Sequence, residues 1–563
     1  MPAKELRFDA EARAALKRGA DAVADTVAVT LGPRGRTVVL DKKFGPPQIS
    51  NDGATIAREL DFKDHFENMG AQLLKEVAIK TNDIAGDGTT TATVLGRAMI
   101  TEGLRNLAAG AAPSELKRGM LAAAEAAIAS VRSRSHALSG SDDIKRVATI
   151  SSGDEEIGVM IADAFGKVGK EGVVTVDDAK GIETEVEVVE GMAFDRGYIS
   201  PYLVTDQQTM EAVLDNARVL VTDAKISAVN DLLPSLELVM KAGRPLLVIA
   251  EDVTAEALAT LVVNRLRGTF TAVAVKAPAF GERREAILQD LAVLTGATVV
   301  SEKVGLRLDS VRDDQLGSVG RATVSKDDTI IVRGGGTKAA IEARAAEIRQ
   351  QIEETTSEWD REKLQERLAH LTGGVAEIRV GAATEVEMKE RKARVEDALA
   401  ATRAAIEDGV VVGGGVALIR AIAAVDALKL EGDAHTGSRA VASALREPLR
   451  IIAANAGVEG GVAVNHVMQS SGDEGFDAVA ETYGDLPARG IIDPTKVVIT
   501  ALTNATSIAT MVLTTEALIA DAPEKPEPTP GGGGHAHGGG GMGMGDMGGM
   551  GGMGMGDDDD MDY

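Results

Sequence analysis

Gly86-Asp87-Gly88-Thr89-Thr90-Thr91-Ala92-Thr93-Val94-Leu95 is the run from which the rest of the chain is read. Two glycines let a backbone approach a ligand closely. Three threonines offer hydroxyls, and a helix opening at Thr89 presents free N–H groups that favour anions. Asp87 would repel bare phosphate. Its presence makes sense if its carboxylate holds Mg2+, a hard cation that takes carboxylate and phosphate oxygens together. The same residues also read as a capped helix after a glycine turn. Thr30-Leu31-Gly32-Pro33 and Gly413-Gly414-Gly415 could cradle the same nucleotide, each a weak signal alone. No G-x-x-x-x-G-K-[ST] occurs. Gly166-Lys167-Val168-Gly169-Lys170-Glu171 has its first glycine misplaced and ends in Glu, so a P-loop fold is not expected.

Outward from this run, Phe66, Met69, Leu73, Leu74 and Val77 predict a helix over 64–80. Helices are also expected over 11–31, stopped by Gly32-Pro33, and over 89–109 and 114–133, with a short strand at 36–41. The middle changes character. Residues 172–177 and 183–190 alternate like strands. Residues 245–250, 260–266 and 270–275 read strand, helix, strand, a βαβ unit with a parallel sheet. A charge-rich helical pair over 335–371 breaks near Thr355-Thr356-Ser357, and from Met388 the chain is expected to stay mostly helical to Ala520. The fold class is therefore multidomain, α plus α/β: a helical domain from both chain ends with an α/β domain inserted. Two chain crossings make hinge motion natural. Gly191, Gly373, Gly374 and Gly409 sit near them, as hinges or as ordinary turns. Residues 523–563, nearly all Gly and Met over 531–556 and acidic at the end, read as a disordered tail.

The chain has 563 residues, 44% hydrophobic but only 2% aromatic, so its core must come from Ala, Val, Leu and Ile. Its net charge of −26 would repel nucleic acid. Cysteine is absent, which excludes disulfides and thiolate metal sites and fits a reducing cytoplasm. The charged first residues lack a signal-peptide core, and no uninterrupted apolar run of about 18 residues predicts a membrane span. A cytoplasmic protein without a membrane partner is expected.

Residues 82–95, Val29-Thr30-Leu31-Gly32-Pro33-Arg34-Gly35-Arg36, Glu67-Asn68-Met69-Gly70-Ala71-Gln72, and the runs 380–390 and 394–403 together resemble the GroEL-type group I chaperonins. The resemblance spans about 3–520, and the Gly/Met tail is similar too. It implies an equatorial ATP-binding domain (1–133 and 408–522), mostly helical. It also implies a small intermediate hinge domain (134–189 and 376–407) and an inserted apical α/β domain (190–375) that binds polypeptide. ATP, Mg2+ and K+ are the implied cofactors. The implied partners are non-native polypeptides, a GroES-type co-chaperonin lid and further copies of the chain, in sevenfold rings usually stacked in pairs.

Residue by residue, the resemblance puts Thr30, Leu31, Gly32 and Pro33 along the phosphates and base side. Asp87, Gly88, Thr89, Thr90 and Thr91 would bind phosphates, with Asp87 on Mg2+. Gly414 and Asp493 would hold the nucleoside, and Asp477, Ala478 and Val479 the base, although the family's commonest wording there is Asn-Ala-Ala. Asn51, also a nucleotide contact, stands where Lys is frequent. Asp397 matches the catalytic aspartate that orients the attacking water and accepts its proton, assisted by Asp52. An ordinary Asp, with a pKa near 3.9, is a weak base at neutral pH, so positioning is expected to matter more than basicity.

Two segments, 231–241 and 254–267, carry apolar residues beyond one narrow stripe. One face can pack on a sheet while another stays exposed, although two buried helices fit the same pattern. The resemblance implies client contacts at Tyr198, Ser200, Tyr202, Leu203, Leu233, Leu236, Leu258, Val262, Val263 and Asn264. It also implies an intersubunit ion pair of Arg196 with Glu385, ring–ring contacts at Arg105, Ala109, Arg450 and Glu459, and a lower hinge where Ala137 replaces a frequent proline. Two other readings stand beside it: a specialised paralogue with a metal role for His535 and His537, and a plain ATP-dependent metabolic enzyme.

Overall fold

Small side chains set how closely the helices at the two chain ends approach. In the helix Asp9–Ala28 the buried positions are Ala12, Ala15, Leu16, Gly19, Ala20, Val23, Ala24 and Val27, one helical stripe. A Cβ on Gly19 would stand 1.8 Å from the Glu67 carbonyl oxygen of the helix His65–Ala85. The computed structural model describes residues 3–42, 47–169, 172–179, 181–207, 209–355 and 357–522; the tail expected over 523–563, with His535 and His537, lies outside them. Two units separate. In one, residues 3–5 and 521–522, Ala522 N donates to Ala3 O (2.8 Å) and Lys4 pairs with Asp521. The other, 6–520, holds everything that follows.

Its largest apolar cluster draws on residues 12–131 and 411–520. The helices Thr89–Ala108 and Pro113–Ser133 meet Val416–Asp426, Gly432–Ala444 and Thr495–Thr514 there. Thr495–Thr514 is long and apolar enough to cross a membrane, but two thirds of it lies inside the protein, as the core helix of this cluster. Thr503, Thr506, Thr510 and Thr514 donate to carbonyls of their own helix, Thr506 to Leu502 O (2.8 Å).

The second cluster spans 192–371 and surrounds a mixed sheet. Leu246–Ala250 runs parallel to both Arg218–Val221 and Ala272–Lys276, with Leu246 opposite Arg218 and Ala272. All five of its residues are buried, which is why the run shows no alternation. The expected βαβ unit is thus present, its helix running over Ala255–Leu266. Gly317–Val324 and Thr329–Gly334 extend the sheet antiparallel, to Gly191–Phe194 at the edge. The charge-rich pair is Lys338–Glu354 and Glu358–Thr372.

The third cluster, 138–174 with 376–410 and Ile492, lies where the chain passes between the other two. Val375–Val380 pairs parallel with Val173–Asp178 and antiparallel with Glu185–Val189, so outgoing and returning passes share one sheet. At the lower crossing His136 and Val410 exchange backbone hydrogen bonds (3.0 and 2.9 Å). Gly409 there has φ 78°, and a Cβ would stand 2.6 Å from His136 O, so geometry alone demands glycine. Beyond Met388 the chain is mostly helical, as expected, with short strands between the helices. Val410–Val412, Ile492–Pro494, Glu474–Asp477 and Thr482–Asp485 are strands too short to show a period.

Ion pairs tie the inserted sheet to the small one: Arg321 with Asp177 and Arg333 with Glu377. Deeper in the insertion, Asp290 is fully buried and accepts from Arg344 Nε (2.7 Å) and from Arg367 Nε and Nη2 (2.9 and 3.0 Å). Nearby, the Arg283 guanidinium lies 3.8 Å from the ring centroid of Trp359, the single tryptophan. Removing one member of a buried pair strands the other charge. Asp290→Ala should therefore lose about 3–5 kcal/mol of stability, read as a lowered urea midpoint; an unshifted midpoint would contradict this.

Candidate functional site

The turn between His65–Ala85 and Thr89–Ala108 is built by two left-handed glycines, Gly86 (φ 67°) and Gly88 (φ 80°). Neither tolerates a side chain: a Cβ would stand 2.2 Å from Ala400 Cβ at Gly86 and 2.5 Å from Val497 Cγ1 at Gly88. Between them Asp87 accepts from Ser151 Oγ (2.7 Å) and from the Gly88 N–H. Burial raises the Asp87 pKa, the Ser151 and Gly88 hydrogen bonds oppose this, and the charge of Asp52 adds to it.

Asp52 starts the short helix Gly53–Arg58. Its carboxylate accepts from Ala54 N (3.1 Å), Thr55 N (2.7 Å) and Thr89 Oγ1 (3.2 Å). Thr90 donates to Thr30 Oγ1 (3.1 Å), whose own proton goes to Val27 O. Asn455 Nδ2 donates to Ala28 O (3.0 Å) and Leu31 O (2.9 Å), holding the loop that leads into Gly32 and Pro33. Thr89 and Thr90 are buried, Thr91 half-buried and Asn51 exposed.

Asp397 comes from the middle of the returning helix Glu385–Asp408. Burial, then the charges of Asp52, Asp87 and Glu396, push its carboxyl well above the usual range. This sets Asp397 apart from an ordinary Asp, whose pKa lies near 3.9. Asp493 lies on Ile492–Pro494, opposite Val411. A Cβ on Gly413 would stand 2.9 Å from its Oδ1. Burial, with Asp87 adding, pushes the Asp493 pKa up to about 7. Gly414 follows at φ 62°, and a Cβ there would stand 3.8 Å from Phe476 O, on the hairpin that carries Asp477, Ala478 and Val479. Arg34 Nη2 donates to Val479 O (3.1 Å), joining that hairpin to the loop after Pro33.

Four remote segments therefore converge on the glycine–threonine turn. Among the described residues no three His, Asp or Glu side chains are placed to hold a metal by themselves. Ser151, which orients Asp87, and Arg489, which pairs with Asp477 (3.1 Å), carry no local sequence signal.

On the inserted module, the helices Val229–Ala242 and Ala255–Leu266 bury one face, with Leu232, Val239, Ala257 and Leu261 inside. Leu233 (40% exposed), Met240, Val263 and Leu266 (70%) face outward, and Tyr202 is exposed on the turn Pro201–Leu203, which packs on Ala255–Leu266. Leu258, Val262, Tyr198, Ser200 and Asn264 are half-buried. Two of the expected client contacts are buried here. Leu203 is fully buried, in the turn that packs on Ala255–Leu266, and Leu236 is 6% exposed, within the apolar cluster of the insertion. They support the apolar face from beneath. Glu385 pairs with Lys389 (2.7 Å) in its own helix, while Arg196 donates to Asp195 O (2.9 Å).

A family model described as the TCP-1/cpn60 chaperonin family matches residues 23–523, and the chain belongs to that family. It is accordingly a chaperonin, a protein that assists the folding of other polypeptides and assembles as an oligomeric ring.

A carboxyl with a raised native pKa keeps its proton where the unfolded chain has lost it. Its contribution is fully favourable below about pH 4 and declines as pH rises toward the native value of about 7. The urea midpoint of nucleotide-free protein should thus fall between about pH 4 and 7, and Asp493→Asn should flatten that slope. Equal slopes would refute the assignment.

Proposed function

We propose that the chain is the subunit of a cytoplasmic group I chaperonin, an ATP hydrolase that captures non-native polypeptides and folds them in a ring cavity closed by a GroES-type lid. In this reading 1–133 and 408–522 form the equatorial domain, 134–189 and 376–407 the intermediate one and 190–375 the apical one. The carrying observation is the convergence of Asp52, Asp87, Asp397 and Asp493 on a Gly-Asp-Gly turn that opens a 20-residue helix.

That donor set fits ATP with Mg2+. Among the described residues no three carboxylates are grouped to cage a cation, and Mg2+ is commonly held by one or two carboxylates with phosphate oxygens completing its shell. Asp87 would hold the ion; bound there, Mg2+ would neutralise charge on the phosphates. K+ belongs to the proposal as the resemblance implies it. The Thr89–Ala108 N-terminus and the hydroxyls of Thr30, Thr90 and Thr91 would take phosphate oxygens, with Leu31, Gly32, Pro33 and Asn51 alongside. Gly414 and Asp493 would hold the nucleoside, and Asp477, Ala478 and Val479 the base. Asp52 has its oxygens committed to the helix cap and to Thr89, so it acts by fixing the Thr89 hydroxyl. Asp397 orients the attacking water and receives its proton.

Capture relies on apolar contact, which lacks directionality and so accepts many unfolded chains. Tyr202, Leu233 and Val263 are the exposed members of the expected set. The lid would dock on the same face.

Asp397→Ala should bind ATP but turn it over roughly a hundredfold or more slowly; unchanged turnover would sink its catalytic role. Leu233→Ser with Val263→Ser should weaken binding of an acid-unfolded test protein while leaving ATPase activity in place, measured by co-sedimentation. In light scattering, seven or fourteen copies of the 58.4 kDa chain should give roughly 0.4–0.8 MDa.

A further inference from the structure

Asp477 puts a carboxylate at a place that is only 8% exposed. One oxygen accepts from Val479 N and Ala480 N (both 3.0 Å), which shapes the hairpin turn. The other accepts from Arg489 Nη1 (3.1 Å). Arg489 ends the short turn Pro487–Arg489. The same Nη1 donates to Thr482 Oγ1 (2.9 Å), and Nη2 donates to Tyr483 O (3.1 Å). One guanidinium therefore ties the strand Glu474–Asp477 to its partner Thr482–Asp485 and neutralises the only charge buried between them. Gly484 makes the room, since a Cβ there would stand 2.5 Å from Arg489 Nη2. The far side of the hairpin is held by Arg34 through Val479 O, and Phe476 O lies next to Gly414.

We infer that Arg489 is a positioning residue for nucleotide binding: it holds Asp477, Ala478 and Val479 as the wall against which the base rests, without touching the phosphates. The inference rests on the nucleotide reading above and adds a residue to it. An amide at 477 would need no counter-charge. A carboxylate buried there does, because an unpaired buried charge is far more costly than a paired one. Asp477 and Arg489 are thus one unit, and the hairpin keeps its form only while both are present or both are replaced.

The test is steady-state ATPase on the full-length assembled protein, with inorganic tripolyphosphate as a competitive probe of the phosphate end alone. In Arg489→Ala the KM for ATP should rise about tenfold while kcat stays within about twofold. The inhibition constant of tripolyphosphate should also stay within about twofold. The double variant Asp477→Asn with Arg489→Met should bring KM back to within about threefold of the unaltered chain. An unchanged KM in Arg489→Ala would overturn the inference. So would a parallel loss of tripolyphosphate affinity, which marks general damage, or a double variant no better than the single one. Failure of the unaltered protein to bind ATP at all would instead overturn the reading of the site itself.

Discussion

Like charges brought together in a buried place are the constraint on which the site depends. Asp52, Asp87, Asp397 and Asp493 come from four separated segments, and burial with their mutual repulsion raises the pKa of the last three. Such an arrangement destabilises the protein on its own. It persists because the backbone around it is over-determined: Gly86 and Gly88 fit against Ala400 and Val497, and Asp52 spends its oxygens on a helix cap and on Thr89. A ligand that carries positive charge into the cluster gains the energy the fold has given up there.

The path of the chain explains how that energy could reach the inserted module. Asp397 sits on the helix Glu385–Asp408, whose Lys392 pairs with Asp178 (3.0 Å) and whose Arg403 donates to Val174 O, both on the small sheet. That sheet holds the outgoing and returning passes side by side and is ion-paired to the inserted sheet through Arg321 and Arg333. A helix that moves to bring Asp397 toward a ligand must therefore carry the small sheet with it. Lys392–Asp178 and Arg321–Asp177 are partly exposed and individually worth little, about 0–1 kcal/mol, and such weak contacts suit connections that must break and re-form. Glu377, paired with Arg333, is buried.

The long helices and the buried strands were legible in the sequence because their period or their unbroken apolar runs leave few alternatives. The βαβ unit at 245–275 and the helix opening at Thr89 are cases of each. The glycine–threonine turn was legible as a glycine turn opening a helix, since two glycines before a helix start are a local signal. What remained hidden was everything decided by contact between distant residues. Strands of three or four residues such as Ile492–Pro494 exist only because Val410–Val412 pairs with them. Ser151 and Arg489 meet their aspartates only after folding. Leu203 and Leu236 are chemically indistinguishable from Leu233, and only the packing beneath them says which leucine reaches solvent.

Trp359, half exposed under the Arg283 guanidinium on the charge-rich helix pair, is the one indole in 563 residues. Ultraviolet excitation at the red edge, where tyrosine is silent, therefore lights a single point on the inserted module. Its emission colour and lifetime follow that module alone. The chain carries a native optical label, and time-resolved work on it needs no added dye.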